Sequence, residues 1–400
     1  MIKIFHSDLE IADFIYDKKR YFLNYQNLEL ENSISLSLPN TQKIYSWEYR
    51  FPPYFETFLP EGYLFEIFKN LLTKEYGYID DYLLFSLLSP NIDGRITFES
   101  ENKKLNFDFL DIDEILNNDT QDTFNYLLNQ FLDKNAISGV QPKTIALIRD
   151  KETLYLKEYI VKTWGDEFEN LAENEYFCLK AVQKAGVPIP NIYLSKNRRF
   201  LIVEKFIYDG DLVYGFEEVL SLMDKNRNSK YQGSYEQVAK VINSFVTDST
   251  KSMKYFFKTV VMNYLLKNGD AHLKNFGLLF NDYFSEIRFA PAYDIVTTTA
   301  YIFKDKPALT LNGKKIWHTK NELINFGVKH CNLSKTKAMF FYEECKKALE
   351  NSIDELEIYI KDNPHFNKIG KRMIDSWKLS LLESPIKEIG DDVIRNWRSD

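Results

Sequence analysis

The feature that most constrains the fold is a change in the spacing of apolar residues along the chain. Between residues 137 and 206 the apolar residues alternate in short runs, which predicts strands over 144–149, 153–162, 191–194 and 200–206. One helix is predicted inside this region, over 171–185, because apolar residues repeat at helical spacing before a glycine and a proline. Beyond residue 235 helical spacing dominates, as in 235–245 and 253–266. The pattern predicts a strand-rich part followed by a mainly helical part.

The first hundred residues predict a small α/β module in front of these two parts. Alternation over 34–38 predicts a strand, and helical spacing over 63–72 predicts a helix. Residues 100–125 are rich in Asp and Asn and are interpreted as a junction between domains. Because 400 residues are too many for one hydrophobic core, the length predicts two or three domains, and the patterns along the chain favour three. Their expected bounds are 1–105, 106–206 and 207–400.

Composition excludes several classes of protein. No run approaches the roughly 18 apolar residues that a membrane span needs, and the N-terminus lacks a signal peptide's charged and apolar blocks. We therefore expect a soluble, cytoplasmic protein with no membrane partner. Cys178, Cys331 and Cys345 form no CxxC pair, so neither a zinc site nor a disulfide framework is predicted. The net charge of -7 argues against non-specific binding to nucleic acid.

The most specific local signal is Asn-Gly-Asp-Ala-His-Leu-Lys-Asn over residues 268–275. Four residues separate Asp270 from Asn275, which is the spacing of the base and the metal-binding Asn in a kinase catalytic loop. Asp270 would accept the proton of an attacking hydroxyl, while Asn275 would offer a neutral oxygen to Mg²⁺. Asp294, in Phe-Ala-Pro-Ala-Tyr-Asp, supplies a second hard oxygen ligand. With the order of strands and helices, these residues predict a bilobal, protein-kinase-like α+β fold that uses ATP and Mg²⁺.

A lysine and a glutamate in the strand-rich part extend this prediction. Lys162 ends the apolar run Tyr-Ile-Val-Lys, as does the lysine that contacts ATP phosphates in kinases. In the next predicted helix Glu175 shares the apolar face, whereas Glu173 lies about 200° away. A carboxylate on a buried face is costly unless it is paired. We therefore predict an ion pair between Lys162 and Glu175.

The chain has no GxGxxG sequence, so phosphates must be bound by another turn. Residues 137–143, Ile-Ser-Gly-Val-Gln-Pro-Lys, precede a predicted strand and offer backbone amides, one glycine and a lysine. We interpret Ser138, Gly139 and Lys143 as the candidate phosphate-binding residues of this turn.

Taken together, the motifs resemble those of the HipA family of bacterial serine/threonine kinases, the toxins of type II toxin–antitoxin systems. The resemblance covers most of the chain and includes the sequences at 58–62, 137–143, 172–178, 203–206, 269–276, 290–294 and 311–314. It implies that Lys143 and Lys162 contact phosphates and that His272 lines the nucleotide site. It also implies that Glu204 and Phe206, in the hinge, offer backbone groups to adenine.

The same resemblance implies a substrate and partners. Asp270 would be the catalytic base, and Asn275 and Asp294 would hold Mg²⁺ beside ATP. Family members phosphorylate protein hydroxyls, in known cases those of aminoacyl-tRNA synthetases, and their antitoxin is typically a helix-turn-helix repressor. DNA would then be bound only indirectly, through the antitoxin.

Two positions depart from the family pattern. Members often carry an autophosphorylated serine two residues before the position of Ser138, where this chain has Ala136, so Ser138 is the autophosphorylation candidate. A phosphate there would add negative charge where ATP phosphates must bind. After the hinge, where relatives commonly have an aspartate, this chain has Ile207.

Three other interpretations stay open at the level of sequence. A small-molecule phosphotransferase of the aminoglycoside or choline kinase type also uses Gly-Asp-x-x-x-x-Asn and a later Asp. A non-catalytic module that binds a partner, or represses together with an antitoxin, is the second. A related kinase that is secreted as an effector is the third.

Overall fold

The protein is described by a computed structural model that covers residues 1–60, 65, 72–73, 76–101, 112–120, 122–123, 126, 152–155, 159–164 and 168–382. Its strands are β1 (Ile2–His6), β2 (Leu9–Asp17), β3 (Arg20–Tyr25), β4 (Ile44–Glu48), β5 (Ile96–Glu99), β6 (Glu152–Tyr155), β7 (Tyr159–Thr163), β8 (Ile192–Leu194), β9 (Leu201–Glu204), β10 (Tyr208–Asp209), β11 (Leu212–Val213), β12 (Gly215–Glu218), β13 (Gly277–Phe280) and β14 (Ile287–Phe289). Its α-helices are α1 (Pro53–Glu56), α2 (Asp81–Leu88), α3 (Ile112–Asn117), α4 (Leu171–Lys184), α5 (Val219–Leu222), α6 (Tyr235–Phe245), α7 (Ser249–Leu265), α8 (Lys320–His330), α9 (Lys335–Asp362) and α10 (Asn367–Leu381).

The chain divides into two compact units, and the first contains most of the strands. It comprises residues 1–168, 191–230 and 277–288. The N-terminal strands form a five-stranded antiparallel sheet in the order β4-β3-β2-β1-β5. A four-stranded sheet has the order β6-β7-β9-β8, and a three-stranded sheet has the order β12-β13-β14.

One hydrophobic core serves both larger sheets of the first unit. Phe14, Phe55 and Phe85 are buried together beneath the five-stranded sheet, and the rings of Phe14 and Phe55 stack with centroids 4.3 Å apart. Val161 of β7 and Ile202 of β9 belong to the same buried cluster. Because burial of apolar area is the main favourable term in folding, we expect these two sheets to unfold together.

The predicted strand over 34–38 is wrong. These residues form an irregular segment that is buried on nearly every side, so alternation does not separate an inner face from an outer face. Side chains instead satisfy its backbone: Ile34 N–H donates to the Tyr25 hydroxyl at 2.9 Å, and Ser37 N–H donates to the Glu217 carboxylate at 3.1 Å. A strand was not required, because buried backbone groups need partners and these partners come from side chains.

The predicted strand over 153–162 is two strands. β6 and β7 pair antiparallel, and Thr153 and Lys162, the two predicted ends, lie opposite each other in the register. The neighbouring predictions over 191–194 and 200–206 are confirmed as β8 and β9. The predicted strand over 144–149 lies outside the described residues, as does most of the predicted helix over 63–72.

The second unit is mainly helical, as the spacing of apolar residues predicts. It comprises residues 169–190, 231–276 and 289–400. Helix α6 begins and ends as predicted, and α7 begins four residues earlier than predicted because Asp248 caps it, accepting a hydrogen bond from Lys251 N–H at 3.0 Å. Helix α9 packs against α4, α7, α8 and α10. Among the described helices, none has the length and apolar character needed to cross a membrane.

Candidate active site

The loop after α7 carries the predicted catalytic aspartate, and buried asparagines fix its path. The Asp270 N–H donates to the Asn268 side-chain oxygen at 3.1 Å. Asn268 in turn donates from Nδ2 to Oδ1 of Asn263, on the last turns of α7, at 2.9 Å. Both asparagines are almost fully buried. Since buried amides are costly to leave unpaired, this chain of contacts holds Asp270 at a defined distance from the end of the helix.

A threonine from a later segment closes the same loop. Thr298 Oγ1 accepts from Gly269 N–H at 2.8 Å and donates to the Lys267 carbonyl at 3.1 Å. A side chain at position 269 would collide with its surroundings, because a Cβ atom there would lie 2.0 Å from Oδ2 of Asp305 and 2.7 Å from Thr298 Oγ1. Close approach, rather than an unusual backbone angle, therefore favours Gly269, because a larger residue would force the Asp305 and Thr298 side chains to move.

Asn275 and Asp294, the two predicted metal ligands, are in direct contact. Asn275 Nδ2 donates to Asp294 Oδ2 at 2.8 Å, while Asn275 Oδ1 accepts from the His272 N–H at 2.9 Å. Asp294 has a φ of +56°, a left-handed value that few residues other than glycine adopt. Such a conformation persists only where surrounding contacts enforce it, and it is common at functional sites.

The oxygens of this pair fit Mg²⁺. An amide oxygen has two lone pairs and a carboxylate about four, so both Asn275 and Asp294 retain acceptor capacity after the contacts above. Mg²⁺ is usually held by one or two carboxylates together with substrate phosphates and water. In the described part of the chain, no group of three or more His, Cys, Asp or Glu residues could hold a metal ion alone. Asn275 and Asp294 could therefore offer two oxygen ligands to a Mg²⁺ ion.

Asp270 has a partner that the sequence did not reveal. The Tyr231 hydroxyl donates to Asp270 Oδ1 at 2.9 Å, and the Tyr231 ring meets the His272 ring edge-on, with centroids 5.2 Å apart. Tyr231 precedes Asp270 by 39 residues and belongs to no motif, so only the fold brings the two together. Tyr231, Asp270, His272, Asn275 and Asp294 all lie in the second unit.

Helix α4 contains two buried carboxylates rather than one. Glu175 is 1% exposed, as its position on the apolar face predicts, but Glu173 is 0% exposed. The prediction that only Glu175 faces the interior is therefore wrong, because α9 and the turn after it cover the other side of α4. There Glu173 accepts from the Tyr359 hydroxyl at 2.7 Å and contacts His365 Nε2 at 3.0 Å. The ion pair between Lys162 and Glu175 stays a prediction.

The remaining predicted residues belong to the first unit or lie outside the described residues. Lys162 is half-buried on β7, opposite Leu201 of β9. Glu204 ends β9 and accepts from Asn191 Nδ2 at 3.0 Å. The Phe206 ring meets the Phe216 ring edge-on, with centroids 5.3 Å apart. The sites predicted at Ser138, Gly139 and Lys143 lie outside the described residues.

One cation next to the catalytic loop is unusual. Lys267 is 9% exposed, and its amine lies 4.7 Å from the centre of the Trp317 ring. Burial lowers the pKa of Lys267 from 10.5 to about 8. The electron-rich face of the indole offsets part of the cost of burying the charge.

Comparison with known proteins finds sequence relatives that are named as kinases. A protein of Haemophilus influenzae named "Putative kinase" is 28% identical over 184 residues, which is 42% of this chain and 53% of the relative. "Putative kinase Y4dM" of Sinorhizobium fredii is 24% identical over 306 residues, which is 70% of each chain. This chain thus spans about half the length of the first relative.

A solved structure resembles the whole fold. HipA of Shewanella oneidensis MR-1, from a toxin–antitoxin complex with HipB and operator DNA, matches with a TM-score of 0.69 and 14% identity over 95% of this chain and 97% of that chain. The mixed α+β, kinase-like fold predicted from the sequence is confirmed by this match.

The family models cover both parts of the chain. The model of the HipA N-terminal domain matches residues 2–99. The model of the HipA-like C-terminal domain matches residues 135–353, which is more than half of the 400 residues. The chain belongs to the HipA family.

Proposed function

We propose that this chain is an ATP- and Mg²⁺-dependent protein serine/threonine kinase, with Asp270 as its catalytic base. The observation that carries the proposal is the contact of Asn275 with Asp294 in the loop system that also holds Asp270. A kinase needs these three groups, in this order along the chain, for an acceptor hydroxyl and a metal-bound triphosphate. The two relatives named as kinases support the same chemistry.

The side chains have separate roles in this reaction. Mg²⁺ held by Asn275 and Asp294 would neutralise charge on the phosphates. Asp270 would orient the acceptor hydroxyl and take its proton as the oxygen attacks the γ-phosphorus. The tethers from Asn263 and Thr298 would keep the Asp270 carboxylate in position, which matters because misplacement by about 1 Å can cost roughly a hundredfold in rate.

Family membership suggests the partners. HipA of Shewanella oneidensis forms a complex with HipB and operator DNA, and we propose a comparable helix-turn-helix antitoxin for this chain. DNA would then be bound through the antitoxin. For the substrate we propose a protein of translation, such as an aminoacyl-tRNA synthetase, which would place the activity in the cytoplasm.

The decisive experiment compares wild type with Asp270→Asn. Each protein is incubated with γ-labelled ATP, Mg²⁺ and a desalted bacterial lysate, and labelled proteins are identified by phosphoproteomics. We expect one or a few labelled serines or threonines with the wild type and none with Asp270→Asn. The control for the loss of one negative charge is Asp354→Asn, at an exposed position of α9. This variant should label the same proteins as the wild type.

Other outcomes favour the alternatives. Label found in a small molecule, and in no protein, would support a small-molecule phosphotransferase. An effect on growth that persists in Asp270→Asn would support a non-catalytic binding module.

The autophosphorylation proposed at Ser138 is tested separately. Incubation with MgATP alone should add phosphate to the peptide that contains Ser138, and Ser138→Ala should abolish this signal. Phosphate at another serine of the chain would contradict the assignment without contradicting the kinase activity.

A further inference from the structure

Tyr231 contacts the carboxylate to which the proposed function assigns proton transfer. Its hydroxyl donates to Asp270 Oδ1 at 2.9 Å. In a kinase reaction the acceptor hydroxyl makes this hydrogen bond, because the base receives the proton of that hydroxyl. The Tyr231 hydroxyl therefore makes the hydrogen bond to Asp270 that an acceptor hydroxyl would make during phosphate transfer.

The backbone that carries Tyr231 is fixed by the loop around residue 313. Lys315 Nζ donates to the Tyr231 carbonyl at 3.1 Å. Two residues further on, the Gly233 carbonyl accepts from Thr310 N–H at 3.1 Å. These contacts join the backbone at residues 231 and 233 to the segment that contains Thr310 and Lys315.

The Tyr231 side chain lies at the surface rather than in the buried core. Tyr231 is 44% exposed, and the ring contact with His272 is edge-on. Among the contacts that rotation of the side chain away from Asp270 would break are the charge-assisted hydrogen bond to Asp270 and the ring contact with His272. A hydroxyl of a bound substrate can replace the Tyr231 hydroxyl, because it would make the same charge-assisted hydrogen bond to the Asp270 carboxylate.

We propose that Tyr231 covers Asp270 until the hydroxyl of a protein substrate displaces it, and so keeps water from acting as the acceptor. This inference rests on the proposed kinase function. If water were the acceptor, its oxygen would bond to the γ-phosphorus, its proton would pass to Asp270, and the bond to ADP would break with the electron pair leaving on ADP. ATP would then be consumed without modification of a substrate. In this role Tyr231 acts through Asp270 and takes no part in the transfer itself.

The test is Tyr231→Phe, which removes the hydroxyl and keeps the ring against His272. Two rates are measured with MgATP: release of phosphate without any protein acceptor, and transfer of label to proteins of a desalted lysate. We expect phosphate release to rise about fivefold to tenfold, because one hydrogen bond to a charged group no longer competes with water. Transfer to protein should stay level or rise, so the ratio of hydrolysis to transfer increases.

Two controls make the result specific. Tyr283→Phe, at an exposed tyrosine of the first unit, should leave both rates unchanged. The double variant Tyr231→Phe/Asp270→Asn should lose the added hydrolysis, since the proposal routes it through Asp270.

The outcomes that overturn the proposal differ from those that overturn the function. Equal falls in both rates in Tyr231→Phe would show that the hydroxyl only orients Asp270, and would overturn the covering role. Phosphate found on Tyr231 would show that this residue is itself an acceptor, which also overturns it. If the wild type transfers phosphate to no acceptor and hydrolyses no ATP, the kinase function itself fails, and this inference fails with it.

Discussion

Asn174 and Thr297 are joined by a pair of hydrogen bonds, although 123 residues separate them. Asn174 Nδ2 donates to the Thr297 carbonyl at 3.1 Å, and Thr297 N–H donates to Asn174 Oδ1 at 2.8 Å. Both residues are 0% exposed. Trp377 of α10 adds a third contact by donating from Nε1 to Thr297 Oγ1 at 2.8 Å. Helix α4 is thereby joined to the segment that begins with Asp294.

Removing the amide should destabilise the protein and loosen the metal site. In Asn174→Ala the buried Thr297 N–H loses its partner, whereas the Thr297 carbonyl keeps the N–H of Ala300. We expect a loss of about 2 kcal/mol in the free energy of unfolding, the cost of one unsatisfied buried donor. Urea denaturation measures this loss. We also expect a higher Mg²⁺ concentration at half-maximal phosphate transfer, because Asp294 lies three residues before Thr297.

The matched control for this variant is Asn351→Ala, at an exposed position of α9. It should change stability by less than about 0.5 kcal/mol. If Asn174→Ala were equally mild, the two-point contact would not be a main support of this segment.

Thr298 offers a test of how the catalytic loop is held. Thr298→Val keeps the shape of the side chain but removes the hydroxyl that contacts Gly269 and Lys267. We expect kcat to fall about tenfold, the effect of losing one to two kcal/mol of positioning, with little change in KM for ATP. Thr298→Ser retains the hydroxyl and should remain close to the wild type. A fall in kcat in Thr298→Ser but not in Thr298→Val would point to the methyl group instead.

The cysteines should be inert in the folded protein. Cys178, Cys331 and Cys345 are all buried. Burial raises the pKa of Cys178 and of Cys345 to about 12, so neither forms the reactive thiolate at neutral pH. An aromatic disulfide reagent at pH 8 should titrate none of the three rapidly in the native state and all three in denaturant. Fast reaction of one thiol without denaturant would show local opening around that residue.

The sequence motifs identified residues that the fold places close together, although their catalytic roles stay predictions. Asp270 and Asn275 are five positions apart, and the fold brings Asp294, which lies in a later motif, into contact with Asn275. Helix α6 was predicted with its observed bounds, because the helical spacing of its apolar residues is a local feature. Local patterns were sufficient wherever one short segment determines the structure.

The sequence could not predict contacts between residues that are far apart in the chain and belong to no motif. Tyr231, Thr298 and Asn174 stand in no recognisable spacing to their partners, and their roles follow from the packing of whole elements. The strand predicted over 34–38 was wrong for a related reason. Its alternation resembles a strand, but Tyr25 and Glu217 provide side-chain partners that make a strand unnecessary.

Lys267 should make the stability of the protein depend on alkaline pH. Its pKa is 10.5 in an unfolded chain and about 8 in the fold. Between these values the unfolded state holds a proton that the folded state has released, so the contribution of this residue to stability rises from pH 8 to pH 10.5. Below pH 8 both states are protonated, and the fold bears the full cost of the buried charge, on the order of 3 kcal/mol.

Lys267→Met removes that cost while keeping an unbranched side chain next to Trp317. We expect the variant to be more stable than the wild type by about 2 to 3 kcal/mol at pH 7, with the difference shrinking as the pH approaches 10. Denaturant unfolding of both proteins across this pH range measures the difference in their free energy of unfolding. Because the other titrating groups are the same in both proteins, their contributions cancel in this difference. Lys347→Met, at an exposed position of α9, should show no such trend. If Lys267→Met were no more stable at pH 7, the contact of the amine with the Trp317 ring would compensate the burial of the charge in full.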